Sequence, residues 1–219
     1  MPPFWNGDHR PTPPTRQFRD RWIERRKMHL DNAPSDKNND IDFGPLADLV
    51  GTWKGDKGID IAPEPDGTEE NHYYETITVE AVGDVTNAEN QTLAVVRYLQ
   101  TVNRKSDDKS IHDETGYWMW DAKSQSLMHS LIIPRGVCVL AEGEAAQING
   151  TVELKASAKL DAPNWGIIQS PFMQEKASTT EYRRTIALNG DTLKYSQTMM
   201  LEIYGRTFEH TDENELTRV

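Results

Sequence analysis

Gly51-Thr52-Trp53-Lys54-Gly55-Asp56-Lys57-Gly58 is where the chain changes texture. Before it the sequence reads as tail and accessory helix, and after it as strand and turn. A Gly-x-Trp-x-Gly opening suits the first strand of a small antiparallel barrel. The Trp53 side chain can plug one end, while Gly51 and Gly55 let other backbone come close.

Downstream, apolar and polar residues alternate in Asn71–Val82, with Gly83-Asp84 as the expected stop. Strands are expected at 93–102, 111–120, 127–133 and 137–141, with another ending near Ile148. Further strands are expected at 151–160, about 173–188, 192–204 and 207–218. Pro134-Arg135-Gly136, Asn149-Gly150 and Asn189-Gly190-Asp191 have hairpin-turn chemistry. Residues 161–171 read as a longer loop carrying Trp165. With short connections and no helix expected after Val50, the fold predicted is all-β: an up-and-down antiparallel barrel of about ten strands, lipocalin-like or fatty-acid-binding-protein-like. Closing that many strands leaves more interior than side chains need, so a ligand cavity is expected.

Upstream, residues 1–42 form the predicted N-terminal unit, with the barrel domain over 43–219. Residues 1–14 are proline-rich and read as extended. Phe18 and Trp22 recur at helical spacing among arginines, giving an accessory helix over about 16–30 and then a linker. That helix is expected to pack on the barrel or on a second subunit, leaving a homodimer open; a basic amphipathic helix for an acidic partner or a membrane is the other reading. Pro45 opens a short helix in which Leu46, Leu49 and Val50 share a face.

The chain has 219 residues and a net charge of −11. Residues 1–45 carry eight Lys/Arg against seven Asp/Glu, and the remainder carries sixteen against twenty-eight. An acidic body repels polyanions, which argues against nucleic acid and anionic membrane surfaces as partners. The acidic side chains themselves read as solvated surface. No apolar run approaches a membrane span, and the N-terminus lacks the pattern of a secretory signal. The single cysteine, Cys138, excludes an internal disulfide, fits a reducing compartment and reads as a buried packing residue; the cytoplasm is the expected location.

No phosphate-cradling loop, nucleophile elbow or zinc motif is found. The informative stretch is Ile111-His112-Asp113-Glu114-Thr115-Gly116-Tyr117-Trp118-Met119-Trp120. Taken with Gly51–Gly58 and with Met199-Met200 followed by His210, it resembles the nitrobindin family. These are haem-binding β-barrels akin to fatty-acid-binding proteins and to the C-terminal haem-binding domain of THAP4. The family's Gly-x-Trp-x-Gly-x-Gly opening has its third glycine one position later here, at Gly58. Its Tyr-Pro element is replaced by Ile59-Asp60-Ile61-Ala62-Pro63.

The resemblance implies a barrel that binds haem b, with His210 as the iron ligand and His112 as a pocket histidine. Thr52 and Trp53 would stand at the base or wall, and Tyr117 would join the cofactor-binding set. It also implies ferric haem, reversible nitric oxide binding and peroxynitrite isomerisation. A neutral imidazole is a competent haem ligand, and Glu209 or a backbone carbonyl could hold its second nitrogen. Arg135 or Lys194 could meet the propionates. Two other readings stay open: a non-haem carrier or sensor of a small hydrophobic ligand, and a structural barrel with an interaction role.

Overall fold

A computed structural model describes residues 41–219. The expected helix over about 16–30 and its linker lie outside the described residues. The strands are β1 (Gly51–Glu64), β2 (Gly67–Asn87), β3 (Gln91–Arg104), β4 (Ser110–Asp121), β5 (Ser126–Ile133) and β6 (Val137–Ile148). They continue with β7 (Thr151–Lys159), β8 (Gly166–Gln169), β9 (Ala177–Asn189), β10 (Thr192–Ile203) and β11 (Arg206–Arg218). All eleven close into one barrel, β11 pairing with β1. Ten of them form the expected up-and-down meander. The eleventh, β8, pairs with the start of β6, while β7 pairs with the rest of β6 and with β9.

The two ends of the barrel differ. At one end a 3-10 helix, Gly44–Leu49, inserts Leu46 and Leu49, both buried. Trp53 donates its indole N–H to the Leu49 carbonyl at 2.9 Å, and Arg218 lies over its ring. Gly44 adopts φ +52° directly against the Trp120 indole, so a side chain there would strike the ring. Trp53 is therefore the plug that its sequence suggested, and this end is dry. At the other end lie the β1–β2, β3–β4, β5–β6 and β10–β11 turns, together with α1 (Pro171–Lys176).

β1 changes face part-way along. Its partners run Gly55↔Glu75 and then Gly58↔Tyr73 on β2, and Lys54↔Thr217 and then Ile59↔Glu213 on β11. One extra residue is thus taken up at Asp56-Lys57 as a β-bulge, which re-aims the side chains beyond it. Before the bulge the odd-numbered Trp53 points inward; after it the even-numbered Gly58 and Asp60 do. The late third glycine of the opening motif is this insertion, and the bulge returns Gly58 to the interior beneath Tyr73.

Several expectations need correction. β2 does not stop at Gly83-Asp84; Gly83, at φ +120°, takes up a second bulge and the strand runs on to Asn87. The loop 161–171 contains β8, and the strand expected from about Met173 begins at Ala177, because Ser170 caps α1 through the Met173 amide and Pro171 starts it. Cys138 is only half-buried, since it lies between Ile132 and Ile168 on the outward face.

A Cβ on Gly58 would fall 2.1 Å from the Tyr73 ring, which is itself anchored through its hydroxyl to that of Tyr195. Gly58→Ala is expected to lower unfolding free energy by about 1–3 kcal/mol in urea titrations, as overpacking does. No change would mean that the ring is free to move.

Candidate functional site

Alternation places His112, Glu114, Gly116, Trp118 and Trp120 on the inner face of β4, and Tyr117 on the outer. On β11 it places Phe208, His210, Asp212, Asn214 and Leu216 inward. Because the barrel is wide, these inward positions are not all apolar, and a polar network fills its middle. At its centre, buried Arg184 forms a 2.8 Å ion pair with buried Glu114 and donates to Gln100 and Gln197. Tyr98 donates to Glu114 at 2.6 Å. The hydroxyl of Tyr98 therefore accepts from His129 Nε2–H at 2.9 Å, and His129 Nδ1 accepts from Tyr182 at 3.2 Å. This bonding fixes His129 as a neutral Nε2–H tautomer, stacked on Trp118. Burial and the Arg184 charge hold its pKa down at about 3.

The carboxylates expected at the surface thus include two deep inside. Burial would raise the Glu114 pKa, but Arg184 and His112 outweigh it and set it at about 2. Glu75 has no such close cation. Burial pushes its pKa up to about 7, although Asn214 and Gln100 donate to it at 2.7 Å each.

Above the network, at the α1 end, lies a cavity of about 710 Å³. Val102, Ile111, Ile133, Val137, Leu201 and Phe172 form an apolar wall, and Asp60, Asn71, His112, Gln197, His210 and Asp212 a polar one. Arg104 and Arg135 also border it. His210 Nε2 stands 2.6 Å from Asp60 Oδ1. His112 Nε2 stands 3.3 Å from Glu114 Oε2. Burial alone would lower the His112 pKa; the Glu114 carboxylate outweighs it and keeps the imidazole above its usual value. Burial raises the Asp212 pKa, with His210 opposing.

Of the residues singled out in the sequence, His210 and His112 share this cavity. Thr52 and Trp53 belong to the opposite, dry end, and Tyr117 is 43% exposed on the outer surface. Lys194 is on the outside, paired with Glu215 at 2.9 Å. The His210 acceptor is Asp60; Glu209 is exposed and lies 3.9 Å from Arg183. Sequence reasoning missed Asp60, Asp212 and Arg184. Alternation from His210 would have found Asp212. Asp60 needed the bulge, and Arg184 needed the strand order.

The two buried glutamates set opposite pH windows. Folding adds stability through Glu114 above its ordinary pKa near 4.5, and that contribution is lost as pH falls towards 2. Folded Glu75 instead holds a proton up to about pH 7 that the unfolded chain releases near 4.5, so its contribution falls as pH rises between those values. Glu75→Gln is expected to remove that fall, roughly 2 kcal/mol at ~1.4 kcal/mol per pH unit with both ends of the window partly titrated, when unfolding free energies from urea titrations are compared at pH 5 and pH 7. An unchanged pH dependence would exclude Glu75 as its source.

Among the described residues no helix is long and apolar enough to cross a membrane. The crystal structure of Rv2717c from M. tuberculosis superposes with a TM-score of 0.60 at 22% identity, covering 80% of this chain and 94% of that one, a likeness of fold. No curated protein matches the chain. The model of the THAP4-like, heme-binding beta-barrel domain matches residues 42–218, the whole barrel with both cavity histidines, and the chain belongs to that family.

Proposed function

We propose that the cavity binds haem b and that His210 is the iron ligand. The observation that carries this reading is the position of His210, inward on β11 at the wall of the 710 Å³ cavity, with one ring nitrogen held by Asp60. A carboxylate on one nitrogen fixes the orientation of an imidazole and makes the other a better donor to a metal. The volume lies within the range of small-molecule and cofactor sites, and the apolar wall suits the faces of a macrocycle. Arg135 fits a ligand carboxylate at the rim; its guanidinium donates to the Ile111 carbonyl at 3.1 Å. Arg104 is already engaged by Glu69 and Asp107. The residues present therefore fit the group.

Bound haem would supply an iron centre able to take up nitric oxide or a small oxyanion. This chain's own contribution would be to exclude water with the apolar wall and to present His112 as a hydrogen-bond donor from β4. Reversible nitric oxide binding and peroxynitrite isomerisation are the activities to assay on that basis. A second reading, a carrier of a small hydrophobic molecule, draws on the same apolar wall and on exposed Phe172 and Tyr204 beside the cavity.

Hemin titration separates the two readings. The haem reading expects a Soret band at one equivalent, with affinity at least about tenfold weaker or the band shifted in His210→Ala and a smaller change in Asp60→Asn. An identical spectrum and affinity in His210→Ala removes that residue as the ligand. Absence of a specific band, together with displacement of a fluorescent probe by fatty acids, favours the carrier.

A further inference from the structure

We propose that Asp60, His210 and Asp212 form a site for a divalent first-row metal ion in the haem-free protein. One donor atom from each residue lies within 4.8 Å of the other two. An ion bonded to nitrogen and oxygen at about 2.0–2.2 Å spans donors roughly 3–3.5 Å apart, so rotation of a carboxylate closes the set. Asp60 and Asp212 are direct cross-strand partners on β1 and β11, and His210 is the next inward residue on β11.

A separate observation concerns charge. Like charges placed directly opposite one another on a sheet are destabilising. Among the described residues, neither aspartate has a lysine or arginine within ion-pair distance. Asp60 has only His210 as an ionic partner, and Asp212 has none. Of the other carboxylates that line the cavity, Glu69 is paired with Arg104, and Glu64, near the β1–β2 turn, has no ion pair among the described residues. The Asp60–Asp212 wall is short of positive charge, and a dication supplies it.

Neutral donors already orient both carboxylates. Tyr73 donates to Asp212 Oδ1 at 3.3 Å and Gln197 to Asp212 Oδ2 at 3.4 Å, while Asn71 donates to Asp60 Oδ2 at 3.1 Å. Such partners hold metal-ligating oxygens in place. One nitrogen and two oxygens, with the cavity beside them for water or a further ligand, suit zinc, cobalt, manganese or ferrous ion. The ion and haem would compete for His210. That competition rests on the haem reading; the metal site does not.

The test titrates haem-free, full-length protein with zinc chloride by calorimetry and with cobalt chloride by visible absorption. One equivalent is expected to bind, with affinity about tenfold or more weaker in Asp212→Asn and in Asp60→Asn, which keep the side-chain shape. Asp212→Asn should still give the hemin Soret band, separating the two sites. No binding, or affinity unchanged in both variants (an adventitious ion only), overturns the metal site. Zinc binding that depends on Asp212 in a protein that takes up no hemin would support the metal site and remove the haem reading.

Discussion

The Arg184–Glu114 pair is the interaction on which the interior depends. A ten-strand meander encloses more space than apolar side chains fill, and here the surplus is filled with charge. Removing one partner of a buried pair leaves the other uncompensated, typically at a cost of about 3–5 kcal/mol. The surrounding amides and hydroxyls serve to satisfy that pair: Gln100 and Gln197 accept from Arg184, and Tyr98 donates to Glu114. The network in turn fixes the neutral His129 and positions His112 through Glu114.

This arrangement divides the barrel by chemistry. Below the pair, Trp53, Trp120 and the 3-10 helix make a dry plug. Above it, the cavity has one oily wall and one acidic wall. His112 connects the layers, because its imidazole borders the cavity while its acceptor belongs to the buried pair. Each cavity histidine is thus held by a carboxylate, but their anchors differ. Glu114 is neutralised by an arginine, whereas Asp60 faces a second aspartate.

Much of the fold was legible because local chemistry was consistent with it. Asn149-Gly150 and Gly190 take the positive φ values that tight hairpins require. Elements shorter than the period that would reveal them were not legible. Four residues of β8 carry too little alternation, and α1 announced itself only through Ser170-Pro171. The site was legible in part. The motifs point to His112 and His210, which line the cavity, and to Tyr117, which alternation along β4 turns outward. The buried acids were missed because composition places carboxylates in water. Only the closed strand order reveals that Arg184 meets Glu114 across 70 positions of sequence.

The bulge at Asp56-Lys57 acts on β1 as a suppressor acts on a frameshift. An added residue in a strand exchanges inside for outside from that point on, and every downstream side chain is misread. Absorbing the addition as a local kink restores the frame within two residues. The opening motif can therefore change length here without scrambling the pocket. Comparisons that count positions from Trp53 would assign Asp60 to the wrong face, whereas comparisons that count from Gly58 would not.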